Sequence, residues 1–97
     1  MSEFSPENIH TFTLEVSNKM GVHARPAAMI VRVASHFDTE VWVTKKNGER
    51  VNAKSIMGIM MLAAAKGTEL TFECSIKDGP DLENQMTELF SSKFQDE

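Results

Sequence analysis

A single cysteine, no tyrosine, only three prolines and no block of lysine or arginine are what the chain withholds first. Cys74 stands alone, so neither an intramolecular disulfide nor a cysteine-based zinc site can form, and a reducing cytosol is the natural setting. Ten Lys and Arg against fourteen Asp and Glu leave a net charge of −4, with the basic residues scattered. Binding to nucleic acid or to an anionic membrane needs a clustered basic face, so neither partner is expected. No stretch approaches the roughly 18 apolar residues of a membrane span, and Met1–Asn8 has neither a basic nor an apolar signal region, which argues against insertion and secretion. A chain of 97 residues buries roughly two-thirds of its extended surface, enough for one sheet covered by helices. It has no room for a second core or a deep substrate cleft.

What is present is periodic. Residues 1–9 are polar and aperiodic and read as a flexible leader before a domain at 10–94, with 95–97 as a tail. Phe12, Leu14 and Val16 alternate with polar neighbours, giving a half-buried strand at 10–16. Ala27, Ile30, Val31 and Ala34 then fall at helical spacing, with Pro26 in the first turn, where a missing N–H costs little. Val41 and Val43 around Trp42, the turn Lys46-Asn47-Gly48 and the return at 49–53 predict an antiparallel hairpin. Ser55 is a good N-cap for a short, apolar second helix closed by Lys66-Gly67. Leu70, Phe72, Cys74 and Ile76 make a fourth strand, and Asp78-Gly79-Pro80 opens a last helix carrying Leu82, Met86, Leu89 and Phe90. The order βαββαβα predicts an α+β two-layer sandwich: three helices on one face of a four-stranded antiparallel sheet.

The chemistry concentrates in Gly21-Val22-His23-Ala24-Arg25-Pro26-Ala27, where a loop enters the first helix. The first N–H groups of a helix lack intrahelical acceptors and form the positive end of its dipole, so an anion at His23 meets ready donors. Arg25 can add a charge-assisted hydrogen bond to the same oxyanion. A neutral imidazole at this position would offer a ring nitrogen as nucleophile. The bland alternative is a helix-start residue followed by a solvated charge.

Gly21–Ala28, reading GVHARPAA, resembles the active-site motif of the histidine-containing phosphocarrier family HPr. Lys54-Ser55-Ile56-Met57-Gly58 resembles the family's second signature, and the likeness runs from about His10 to Phe90. The resemblance implies an open-faced β-sandwich and a phosphoryl group carried on Nδ1 of His23 with help from Arg25. It implies enzyme I, charged by phosphoenolpyruvate, as donor and an enzyme IIA-type domain as acceptor, with no cofactor and no metal. It also implies a stoichiometric relay rather than an enzyme. In part of the family the serine matching Ser55 is phosphorylated by an HPr kinase; the N-cap role holds in either case. Asn18 and the segment Leu89–Glu97 resemble nitrogen-branch relatives, so sugar transport and nitrogen regulation both stay open.

Six apolar side chains between Ile56 and Leu62 cannot all face the core of so short a helix. Ile59 and Leu62 or Ala63 are expected inward, and Ile56, Met57 and Met60 outward, since methionine adapts to several partners. By resemblance the outward set, with Ala24, surrounds His23 as a docking patch on a cytoplasmic monomer. His10 and His36 are read as structural, Cys74 as a buried small hydrophobe, and Trp42 as lying on the open sheet face. Two rivals remain: a regulatory module whose phosphorylation is read without onward transfer, and a ferredoxin-like nucleic-acid binder. The charge, the lack of tyrosine and the lack of an aromatic pair on one strand disfavour the second.

Overall fold

In the computed structural model, which describes residues 6–46 and 48–95, a 3-10 turn at Pro6–Asn8 leads into β1 (Ile9–Glu15). There follow α1 (Ala24–Ser35), β2 (Trp42–Lys45), β3 (Arg50–Asn52), α2 (Ile56–Met61), β4 (Glu69–Ser75) and α3 (Gly79–Ser91). The sheet order is β1-β4-β2-β3, and every neighbouring pair is antiparallel. Phe12, Phe72 and Val43 line up across it and turn the same way, into a core completed by Ile30, Ala34, Ile59, Leu82, Met86 and Phe90 from the helices. The register row Thr11, Glu73, Trp42 and Asn52 has the opposite parity and forms the open face. There Arg50 lies 4.4 Å above the Trp42 ring and its Nε donates to Glu73 at 3.4 Å. The expected α+β architecture, three helices on one face of an open antiparallel sheet, is therefore the fold.

Several boundaries differ from the sequence reading. Ile9, placed in the leader, opens β1 opposite Ser75, and the Ile76 N–H donates to Asn8 at 2.7 Å. Val16 lies one residue past the strand but is fully buried, and its N–H donates to the Thr68 carbonyl at 2.9 Å. Ile76, assigned to the fourth strand, follows it and is exposed. The hairpin closes through Lys45, whose N–H donates to Glu49 and whose carbonyl accepts from Gly48, both at 2.8 Å. Its Asn47 lies outside the described residues, as do residues 1–5 of the leader and Asp96 and Glu97 of the tail.

The second helix stops well before Lys66-Gly67. Leu62 is its C-cap, and the chain turns at Ala63 with φ +50°, because Leu62 and Ala64 are both buried and the residue between them must reverse direction. Gly67, at φ +93°, serves the turn into β4 instead. After α3 the chain makes a left-handed turn: Lys93, Phe94 and Gln95 all have φ between 53° and 57°. Non-glycine residues rarely adopt this conformation, which costs roughly 1–2 kcal/mol each. The offsetting gain is Phe94, fully buried and edge-on to Phe90 at 4.8 Å between ring centres.

Candidate functional site: the entry to α1

The loop from β1 to α1 is fixed by short-range hydrogen bonds. Asn18 is fully buried; its Nδ2 donates to the Gly21 carbonyl at 2.8 Å, and the Gly21 N–H returns to the Asn18 carbonyl at 3.2 Å. Gly21 sits at φ +74°, and a Cβ there would lie 2.7 Å from the Ala64 carbonyl oxygen, so both backbone angle and space require glycine. The Val22 N–H donates to that same Ala64 oxygen at 2.9 Å, joining the loop to the segment that leaves α2.

His23 follows as the N-cap of α1, with extended backbone (φ −91°, ψ −164°) and no side-chain cap hydrogen bond. Its carbonyl accepts the first helical bond, from Ala27 at 2.9 Å. The amides of Ala24 and Arg25 precede that bond and have no acceptor within the helix, while Pro26 has no N–H at all. His23, Ala24 and Arg25 are exposed, whereas Pro26 and Ala27 are buried and seat the helix on the core. An exposed imidazole thus stands at a helix N-terminus, two residues from an arginine.

Alongside, α1 packs against α2. Ser55 caps α2 as expected: its Oγ accepts from the Gly58 N–H at 3.0 Å. Ile59 and Leu62 are buried, and the inward position left open between Leu62 and Ala63 goes to Leu62, Ala63 being exposed. The Leu62 carbonyl accepts from Lys45 Nζ at 2.9 Å, so a cation stands at the negative end of the helix. Ile56, Met57 and Met60 face outward, as the length of the helix requires, with Met57 74% exposed.

Sequence reasoning missed two further exposed methionines: Met61, 69% exposed on α2, and Met20, 72% exposed in the loop before His23. The surplus of methionine around both motifs was the available signal. It also missed the Asn18 clamp, for which an Asx residue three positions before a glycine was the cue.

The remaining candidates stay structural. His10 Nε2 lies 2.8 Å from Glu83 Oε1, closely covered by Gly79, where a Cβ would overlap the imidazole. His36 is the C-cap of α1, with Nδ1 3.5 Å from Gln85 Oε1. Cys74 is buried, and Trp42 donates from Nε1 to Glu40 at 3.1 Å on the open face. Among the described residues no trio of His, Cys, Asp or Glu could hold a metal ion, and no helix is long and apolar enough to cross a membrane.

Comparisons with known proteins point to one family. The family described as PTS HPr component phosphorylation site matches residues 10–92. The phosphocarrier protein HPr of Neisseria meningitidis serogroup A is 48% identical over 82 residues, which cover 84% of this chain and 91% of that protein. The HPr-like protein Crh of Bacillus subtilis is 44% identical over 84 residues, covering 87% of this chain and 93% of that one. The crystal structure of HPr-C-His from Thermoanaerobacter tengcongensis superimposes with a TM-score of 0.81 at 42% identity, covering 90% of this chain and 97% of that one.

Proposed function

The chain belongs to the HPr family of phosphotransferase-system phosphocarriers, and from that premise we propose that His23 takes a phosphoryl group from phospho-enzyme I and passes it to an enzyme IIA-type acceptor. The observation that carries this reading is the exposed His23 ring at the N-cap of α1 with Arg25 two residues on. The lone pair of Nδ1 attacks phosphorus, the N–P bond forms as the bond from phosphorus to the donor breaks, and the electron pair of that bond leaves with the donor. Onward transfer reverses these roles. The amides of the first turn and the guanidinium of Arg25, two residues on, supply the donors of a charge-assisted cradle for the phosphoryl oxygens.

The protein acts as a cytoplasmic, monomeric, stoichiometric carrier, with Ala24, Ile56, Met57 and Met60 as the surface met by donor and acceptor in turn. Ser55 is a regulatory phosphorylation site for an HPr-type serine kinase; its phosphate would add negative charge at the edge of that surface and weaken docking. A second reading, a regulatory module whose phosphorylation is read without onward transfer, draws support from the similarity to Crh, described as the catabolite repression HPr of Bacillus subtilis.

Incubation with phosphoenolpyruvate and enzyme I, followed by localisation of an acid-labile phosphate, tests the central claim. Label on His23 is expected, and its absence or its presence on another residue overturns the claim. Chasing the label into an enzyme IIA domain separates carrier from regulator.

A further inference from the structure

We propose that Asn18 is a positioning residue for His23, holding through its buried amide the carbonyl on which the His23 backbone rests. The inference depends on His23 being the phosphoryl acceptor. The Gly21 carbonyl oxygen receives two donors, Asn18 Nδ2 at 2.8 Å and the His23 N–H at 3.1 Å. A carbonyl has two lone pairs, so both bonds can be made in full. The path from Asn18 to the reactive residue is one shared oxygen atom.

Three features make this more than a loop-stabilising contact. Asn18 is fully buried although polar, and its side chain is directed back onto its own loop. The reverse bond from the Gly21 N–H to the Asn18 carbonyl closes residues 18–21 into a ring that cannot shear without breaking both bonds. On the other side, the Ala64 oxygen leaves no space at Gly21 and holds the Val22 N–H. The peptide preceding His23 is thus held from two directions, and Asn18 is the side chain responsible for one of them. In-line transfer requires the reacting atoms at about 3–3.5 Å, and a displacement of about 1 Å costs on the order of 100-fold in rate.

Asn18→Asp keeps shape and burial but turns the donor into an acceptor facing the Gly21 carbonyl. With enzyme I as donor, the transfer rate at saturation should fall about 10- to 100-fold. The carrier concentration giving half the maximal rate should not change, because the docking surface on α2 is untouched. The His23 ring resonances should shift in the NMR spectrum of the folded variant. Asn18→Ser, which retains a hydroxyl donor on a shorter side chain, should fall between wild type and Asp. Val43→Ala, a core change on β2, serves as the control for lost stability and should transfer at the wild-type rate.

A folded Asn18→Asp that transfers normally, or that is slowed no more than Val43→Ala, overturns the proposal. If the Asp variant does not fold, Asn18→Ser carries the test: slower saturating transfer with unchanged half-saturation supports the clamp, and wild-type transfer with unmoved ring signals overturns it. Failure of the parent reading is recognisable separately, since wild type itself would then take no label on His23.

Discussion

At the start of α2, Ser55 turns its hydroxyl onto the Gly58 N–H at 3.0 Å; at the start of α1, His23 occupies the same cap position and makes no side-chain cap bond. The first arrangement gives one first-turn amide a partner within the helix, whose outer side exposes Ile56, Met57, Met60 and Met61. The second has no such side-chain cap, and the backbone before it is held by the loop, through Asn18, Gly21 and Ala64. The difference teaches how a small domain can divide labour between adjoining helices. One helix start carries a side-chain cap beside an exposed apolar surface, and the other presents an exposed imidazole and guanidinium at a start without one.

Removing the side chain that leaves its helix uncapped gives the largest effect. His23→Ala is expected to abolish acid-labile labelling while its thermal midpoint stays near wild type, since no cap bond is lost; label persisting in the variant would break the contrast. Arg25→Ala should slow transfer roughly 10- to 150-fold without eliminating it, as one charge-assisted hydrogen bond contributes about 1.5–3 kcal/mol. Rapid-quench measurements in both directions check this, and unchanged kinetics would show that the guanidinium does not reach the phosphate.

On the capped helix start, Ser55→Asp retains an acceptor for Gly58 and suits the dipole, so stability should hold. Transfer from enzyme I should nonetheless drop through weaker association, because the new charge borders the surface to be desolvated; titrating enzyme I would reveal a raised half-saturation. The smallest change is Ser55→Ala, which should lower stability by about 1 kcal/mol in denaturant unfolding and leave transfer normal. A slowed Ser55→Ala would mean that the cap hydroxyl takes part in the chemistry and that the two helix starts are not separate in function.

The elements with strict periods were legible in the chain. Alternation at Phe12 and Leu14, and helical spacing at Ala27, Ile30 and Ala34, place side chains that lie in the core or, for Leu14, pack against it. The site was legible for a local reason, since His23, Arg25 and Pro26 sit within one helical turn and Ser55 reads as a cap from its immediate neighbours. What the sequence hid depends on distant atoms. The end of α2 could not be read because Ala63 adopts φ +50° to let Leu62 and Ala64 both reach the interior, against its own preference. The turn at Lys93–Gln95 is likewise imposed by burial of Phe94 against Phe90. The Asn18 clamp is short in sequence, yet its geometry is fixed by the Ala64 carbonyl on the far side of the loop.

The placement of β1 at the sheet edge beside β4 has a consequence in time. Ile9 pairs with Ser75, so about 66 residues must be synthesised between the two, and at roughly 5–20 residues per second the first strand waits roughly 3–13 s for its partner. During that interval Phe12 and Leu14 have no sheet to join, and the non-local pairing must close its loop before any contact repays it. The period in which a newborn chain is open to aggregation or to chaperone capture is therefore set by the arrival of β4, long after the loop bearing His23 has emerged.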